Sequence, residues 1–307
     1  MARLSSSLLL FLFLCWPSLT FALDIRQTFA RLAFWRRSSR NVPAAGYVDP
    51  NDDGGSMLTK VLAVTYPDGQ REPVNAIISG NSDSEVLVDQ ETEGGLRNYF
   101  LSLSFSSECL GQHSGSDQQV DLGDGNGYLN ETAVIRYNYG DPSLGACTET
   151  IKGGNHFRYW VQNGNKANTG AVFMAVSYEK PIADDHDIVL NGYNLARDYI
   201  IGNITGSVIP TLNLTNSSSY SGNTSYGGYT YKTDVSYVSG LLENTSIGIN
   251  HNWSVYINGV TNAVDGLVAV LDVSILEQPQ AQSAGWRTQP ETWLLLLTVS
   301  FISSFCL

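Results

Sequence analysis

The residues best suited to catalysis or ligand binding fall within 153–198, where histidine, arginine and aspartate recur at short intervals. Histidine and carboxylate side chains can transfer protons, and arginine side chains can hold an anion. The same residue types also form buried networks of ion pairs that only stabilise a fold. The candidates for a catalytic or ligand-binding site are His156, Arg158, His186, Arg197 and Asp198.

Two strands and a helix must position these side chains. Segments 156–162 and 171–179 have the composition of strands, and the polar link between them contains Asn163-Gly164, which is typical of an antiparallel hairpin. Alternation along the first strand places His156, Arg158 and Trp160 on one face. Segment 191–204 is predicted to be a helix. The candidates form one site only if the fold brings helix and hairpin together around an open pocket.

The rest of the chain predicts a single α+β domain over 45–276, with a mainly antiparallel sheet and two or three helices. Ser82 and Glu85 have the spacing of a capping box, so a helix is expected to begin there and to break at Gly94-Gly95 before continuing over 96–103. Two or three antiparallel strands are expected within 226–276. Further strands are predicted over 58–66, 74–79 and 128–137.

The hairpin region resembles the C-terminal domain of the LssY family. The resemblance rests on His-x-Arg-x-Trp at 156–160, the Gly-Ala-Val-Phe-Met-Ala-Val-Ser strand, the histidine after a short acidic loop, and Arg-Asp on a helix. Upstream, Pro-Val-Asn-Ala-Ile-Ile-Ser-Gly at 73–80 fits the start of that domain, so the resemblance covers roughly 73–205. The chain is also similar to a group of secreted, GPI-anchored proteins with a Gly-Gly-Asn-His-Phe-Arg core.

The resemblance carries no activity over, because neither group has a known one. Some LssY-type proteins join the domain to lipid-phosphatase membrane domains, and no phosphatase signature occurs in this sequence. The family's Gly-Arg-x-x-Asp-type segment is replaced by Asp-Leu-Gly-Asp-Gly-Asn-Gly-Tyr at 121–128. A shared site would use the five candidate residues already named.

Both ends of the chain carry targeting signals. Residues 1–22 read as a signal peptide: Arg3 precedes an apolar run, and small residues end at Ala22. Residues 284–307 read as a removed GPI signal, with attachment at Ser283 after a short linker, 277–283. The basic segment 23–44 is either a propeptide or an amphipathic helix. These signals predict a protein anchored by GPI on the extracellular face of the plasma membrane, or transferred from there to the cell wall.

The cysteines and the glycosylation sequons agree with a secretory route. Cys109 and Cys147 are the two cysteines between the signals, and they are expected to form a disulfide. Seven N-x-[ST] sequons predict N-glycosylation, most densely over 203–246, which is therefore expected to lie on the surface. The sequon asparagines are Asn130, Asn203, Asn213, Asn216, Asn223, Asn244 and Asn252.

No cofactor is predicted, and metal signals are weak. Asp121, Asp124 and Asn126 are candidates for a calcium site of oxygen ligands, although such Asp/Asn/Gly runs usually make turns. Zinc would need His113, His156 and His186, and no pair of these has the close spacing of zinc motifs. A net charge of −12 disfavours nucleic acid as a partner.

Two functions follow as hypotheses. The first is a GPI-anchored glycoprotein with a binding or structural role at the cell surface or wall, with carbohydrate as a ligand class suited to its Tyr, Trp and Asn residues. The second is an extracellular hydrolase of phosphate esters, in which the arginines would hold the anion and a histidine would transfer the proton. The absence of a complete catalytic motif favours the first hypothesis over an enzyme.

Overall fold

A computed structural model describes residues 40–60, 69–113, 116–257 and 259–279. The predicted signal peptide, Ser283, the anchor signal and most of the basic segment lie outside these residues, as does most of the strand expected at 58–66. Within the described part of the chain, no helix combines the length and the apolar composition needed to cross a bilayer.

Eight strands form one sheet in the order β2-β5-β6-β7-β1-β10-β9-β8, and β3 pairs with β4 in a second, small sheet. Among the strands of the described residues, β1 and β10 are the one parallel pair in the large sheet, and its other neighbouring strands are antiparallel. The strands are β1 (Ala76–Ile78), β2 (Phe105–Ser107), β3 (Gln119–Asp121), β4 (Tyr128–Asn130), β5 (Ala133–Tyr137), β6 (Gly154–Asn163), β7 (Asn168–Glu179), β8 (Ser219–Tyr226), β9 (Tyr229–Thr245) and β10 (Val264–Glu277). The α+β class and the mainly antiparallel sheet are confirmed.

Three helices of seven residues or more occur in the described residues, together with a single helical turn. They are α1 (Leu96–Ser102), α2 (Gly145–Lys152), α3 (Gly192–Thr205) and the turn α4 (Asn252–Val255). The helix predicted over 191–204 is thus confirmed as α3. The strand predicted over 128–137 is two strands, β4 and β5.

The helix predicted to begin at Ser82 is wrong between 82 and 95, where the chain forms turns. Ser82 Oγ accepts a hydrogen bond from the Val273 N–H, and Asp83 Oδ2 accepts one from the Ile275 N–H. These side chains therefore satisfy the backbone of β10, and they are not available to cap a helix. Only the second part of the predicted helix forms, as α1.

The two faces of the large sheet carry separate apolar cores. On β6, Phe157 and Tyr159 pack with residues of α1 and α3, and we call this side the helix face. Trp160 of β6 and Phe173 of β7 belong to the other core, on what we call the opposite face. Because side chains alternate along a strand, His156 and Arg158 share the opposite face with Trp160.

A disulfide joins α2 to the chain after β2. Cys109 and Cys147 are bonded, with an S–S distance of 2.08 Å and Cα atoms 4.5 Å apart. The sequence-based prediction of this disulfide is confirmed. The bond holds α2 against the edge of the sheet that contains β2 and β5, close to the end of β6 that carries His156.

Candidate functional site

A row of polar side chains crosses three strands on the opposite face. The register pairs Arg136 of β5 with His156 of β6, and His156 with Ser177 of β7. Ser177 Oγ lies 3.2 Å from His156 Nε2 and fixes the orientation of the imidazole ring. The row arises because each of these residues falls on the same phase of strand alternation.

Two glutamates close over this row from different elements. Glu149, from α2, accepts a hydrogen bond from Arg136 Nη1 at 2.7 Å through Oε2, and its Oε1 lies 3.8 Å from His156 Nδ1. Glu179, at the end of β7, places Oε1 3.5 Å from His156 Nε2 and Oε2 3.7 Å from Arg136 Nη1. His156 is thus flanked by a carboxylate on each side of its ring.

His186 joins the group from the loop after β7. Its Nδ1 lies 3.4 Å from Glu179 Oε2, so Glu179 stands between the two histidines. The loop turns sharply there, with positive φ at both Asp185 and His186. We refer to Arg136, Glu149, His156, Glu179 and His186 together as the histidine network.

Burial dominates the electrostatics of this network. It raises the pKa of Glu149 to about 7, against the opposing effect of the Arg136 guanidinium. Burial, followed by the positive charges of Arg136 and Arg158, lowers the pKa of His156 well below its ordinary value, so the imidazole is neutral at pH 7. Burial also raises the pKa of Glu179.

The histidine network is incompletely hydrogen-bonded. Glu149 Oε1, His156 Nδ1, Arg136 Nε and His186 Nδ1 are buried atoms without a hydrogen bond among the described residues. Most buried polar atoms in proteins have a partner, so a concentration of such atoms in one place requires a physical explanation. The side chains of His156 and Glu149 are only 2% and 0% exposed, which rules out bulk water as the partner.

Arg197 and Asp198 lie on the helix face, away from the histidine network. The Arg197 guanidinium bonds both oxygens of Asp198 and both oxygens of Asp265, at 2.8–3.0 Å. It also donates to the Leu267 carbonyl at 2.7 Å and lies over the ring of Tyr237, whose hydroxyl donates to Asp198 Oδ1. We refer to Arg197, Asp198, Asp265 and Tyr237 as the Arg197 network.

The five candidate residues therefore do not form one site. His156 and His186 meet at Glu179, and Arg158 pairs with Glu131 at 3.1 Å. Arg197 and Asp198 belong to the helix face because α3 packs there through neighbouring residues such as Ala196 and Ile200. The condition for a single site, that the hairpin and the helix bring all five side chains together, is not met, since the sheet separates the two groups.

Three members of the histidine network, Arg136, Glu149 and Glu179, were not among the candidate residues identified from the sequence. Glu179 ends a predicted strand two residues after Ser177, so strand alternation alone places it on the same face as Ser177. Arg136 lies within a predicted strand, but its register beside His156 could not be read from the sequence. Glu149 is carried by α2, which begins without a capping side chain and gave no helix signal.

The sequence-based metal candidates are explained by turn geometry. Asp124 accepts hydrogen bonds from the N–H groups of Asn126, Asn163 and Gly164, and Asp121 accepts one from Gly123. Their carboxylates accept hydrogen bonds from these backbone N–H groups and thereby stabilise the turns of the glycine-rich loop.

The three-histidine combination considered for zinc does not form. His113 contacts Glu108 and Asp117. Only His156 and His186 of the three lie close together, one on each side of the Glu179 carboxylate.

A groove of about 750 Å³ runs along the outer side of α3. Its walls combine the aromatic rings of Tyr178 and Tyr199 with short polar side chains and with apolar residues of the segment after the helix. Tyr199 is 37% exposed, and its ring contacts Tyr178 and Tyr137 edge-on, with centroids 6.2 and 5.6 Å away. Asn203, a sequon asparagine, also lines the groove and donates from Nδ2 to the Leu103 carbonyl.

The sequon asparagines differ in exposure. Asn203 and Asn252 are half-buried. The exposed ones are Asn130, Asn213, Asn216, Asn223 and Asn244. Four of these five lie within 203–246, in the segment before β8 and on the β8–β9 hairpin. The expectation that the whole of 203–246 lies on the surface is wrong for β9, which contributes Tyr231, Val235 and Tyr237 to the core of the helix face.

No protein-family model, curated protein or solved structure matches this chain.

Proposed function

We propose that this chain is a cell-surface N-glycoprotein, held by a GPI anchor, that binds carbohydrate in the groove beside α3. The observation that carries the proposal is the groove itself, in which the exposed ring of Tyr199 and the half-buried ring of Tyr178 lie beside hydroxyl and amide groups. Pockets that combine a few polar groups with aromatic walls suit small ligands, and tyrosine offers both a flat apolar face and a hydroxyl.

The surface location is supported by the signals at both ends of the sequence and by the dense sequons. The anchor can be tested on cells that express the full-length chain. Phosphatidylinositol-specific phospholipase C is expected to release the protein into the medium. If the protein stays on the membrane while a known GPI protein on the same cells is released, the anchor assignment fails.

The hydrolase hypothesis receives less support. It required His156, Arg158, His186 and Arg197 to converge in an open pocket. Arg197 lies on the other face of the sheet, and His156 is buried between two glutamates. A histidine at that depth cannot reach the proton of a substrate directly or through one water.

The carbohydrate proposal can be tested by pulldown on insoluble cell-wall polysaccharides, using secreted protein that ends at Ser283. Tyr199→Ala is expected to weaken retention by about tenfold or more, the usual loss when an anchoring aromatic side chain is truncated. Tyr226→Ala is the matched control, because Tyr226 is equally exposed, at 37%, and does not line the groove. Equal loss in both variants, or no retention of the unaltered protein on any polysaccharide, would refute the proposal.

The sequon in the groove provides a second variant. A glycan on Asn203 would fill part of the groove, so Asn203→Gln is expected to increase retention. Unchanged retention, with mass spectrometry showing a glycan on Asn203 of the parent, would place the binding surface elsewhere.

A further inference from the structure

We propose that Glu149, His156 and Glu179 bind a divalent transition-metal ion, with Zn²⁺ as the best fit, and that this ion stabilises the fold. One donor atom from each of the three side chains lies within 4.8 Å of the other two. Two carboxylates and one imidazole make a donor set suited to zinc. Calcium is a poorer match, because it prefers six to eight oxygen ligands and no nitrogen.

The unpartnered atoms point independently to a ligand. Glu149 Oε1 and His156 Nδ1 are both buried, both lack a hydrogen bond, and lie 3.8 Å apart. That separation is too long for a hydrogen bond. Two tetrahedral zinc ligands at about 2.0–2.2 Å from the ion lie about 3.4 Å from each other, so a small movement of either side chain would bring this pair to the spacing of zinc ligands.

The surrounding residues already orient the donors. Arg136 Nη1 lies 2.7 Å from Glu149 Oε2 and 3.7 Å from Glu179 Oε2. The guanidinium thus faces one oxygen of each glutamate. The other oxygens face different nitrogens of His156, that of Glu149 at Nδ1 and that of Glu179 at Nε2. The ion would bind the unpartnered Nδ1, and the Glu179 carboxylate would turn towards it. Ser177 Oγ holds the imidazole ring, in the manner of the outer hydrogen bonds that orient metal-binding histidines.

The charges leave room for a cation. Glu149 and Glu179 both face the single guanidinium of Arg136, and His186 Nδ1 lies 3.4 Å from Glu179 Oε2. Buried charge is costly unless it is paired. A second cation between the carboxylates would offset the remaining negative charge.

The position of the site favours a structural role for the ion. Glu149 is fully buried and His156 nearly so, so a substrate could not reach the ion, whereas catalytic zinc keeps a position open to water or substrate. The ligands come from α2, β6 and β7, so the ion would fix α2 to the sheet beside the disulfide that holds its other side.

The test uses the full-length chain as it matures in a eukaryotic expression host, stripped with a chelator and titrated with zinc chloride. Calorimetry and elemental analysis are expected to find one tightly bound zinc per chain. At zinc concentrations about 100-fold above Kd, Tm is expected to rise by about 5–10 °C. His156→Gln and Glu149→Gln are expected to abolish both effects.

His113→Gln is the matched control. His113 belongs to the other group of potential ligands in the described residues, with Asp117 and Glu131, and that group is more exposed. This variant is expected to bind zinc like the parent. Loss of binding in His113→Gln with binding retained in His156→Gln would overturn the assignment, as would a folded parent protein that binds no zinc.

Ser177→Ala keeps the proposal testable if the ligand variants fail to fold. It removes only the hydroxyl that orients His156 and leaves all three ligands in place. Zinc affinity is expected to fall 10–100-fold, the usual effect of losing an outer hydrogen bond to a metal ligand. An unchanged affinity would contradict zinc binding through a His156 ring that Ser177 orients.

Discussion

The two faces of the large sheet each bury an ionic network, and the networks differ in how completely they are satisfied. In the Arg197 network, the guanidinium makes five hydrogen bonds to Asp198, Asp265 and a backbone carbonyl. In the histidine network, Arg136 donates one within the described residues, to Glu149, and four buried atoms lack a hydrogen bond. Burial is similar on both faces, so burial does not explain the difference.

The difference separates a structural network from a site prepared for a ligand. A fully satisfied network has nothing left to bind and serves to fix α3 to β9 and β10. An incompletely satisfied one costs free energy unless something else completes it. A metal ion would complete the histidine network, whereas the Arg197 network needs no addition.

The largest effect is expected from Arg197→Met. This change leaves two buried carboxylates without their cation, and losing one partner of a buried ion pair costs about 3–5 kcal/mol. Because Arg197 serves two carboxylates, we expect the upper end, about 5 kcal/mol, in urea unfolding. Arg136→Met is the counterpart on the other face, and about 3 kcal/mol is expected because Arg136 donates fewer hydrogen bonds. An equal or larger loss of unfolding free energy for Arg136→Met would contradict the expectation that the Arg197 network contributes more to stability.

Removing the disulfide is expected to cost about 4 kcal/mol. Cys109 and Cys147 are 38 residues apart, and closing a loop of that length restricts the unfolded chain by about this amount. The double change Cys109→Ser with Cys147→Ser can be followed by the same unfolding assay. Since Cys147 and Glu149 share α2, zinc affinity is also expected to fall. A stability loss with zinc affinity unchanged would mean that α2 needs no such support.

Removal of zinc by a chelator is expected to destabilise the histidine network and to leave the Arg197 network unchanged. Moving the protein from zinc at about 100 times Kd into excess chelator should lower the free energy of unfolding by about 2.7 kcal/mol. Glu149→Gln should be insensitive to the same change, because it lacks a ligand. Asp265→Asn, in the Arg197 network, should respond like the parent. A chelator effect that disappears in Asp265→Asn would connect the two faces and contradict their independence.

The smallest effect is expected for an exposed ion pair. Lys232 and Asp234 are 2.6 Å apart on the surface of β9, with side-chain exposures of 43% and 56%. Lys232→Ala should cost less than about 1 kcal/mol, because water and salt screen exposed pairs. A cost comparable to that of Arg136→Met would show that burial does not determine how much an ion pair contributes to the stability of this fold.

The sequence predicted the local elements of both faces better than their assembly. The β6–β7 hairpin and α3 follow from turn residues and spacing, and the disulfide follows from the cysteine count. The failed helix at 82–95 shows the limit of local signals, because Ser82 and Asp83 bond the distant strand β10.

The candidate site could be predicted only in part. Strand alternation correctly placed His156 and Arg158 on one face. Alternation could not show that α3 packs on the other face of the sheet. Because of that packing, Arg197 and Asp198 lie apart from His156 and Arg158. Glu149 reaches His156 through a short helix whose position depends on a disulfide and on packing, and neither can be read from the spacing of residues.

The most direct test is anomalous diffraction from crystals of the protein grown with zinc chloride, measured above and below the zinc edge. We expect an anomalous peak within about 2.0–2.2 Å of an oxygen of Glu149 and a nitrogen of His156. We expect none beside Arg197. The zinc assignment would be contradicted if the only zinc peak lay beside His113, or if the histidine network showed none at saturating zinc.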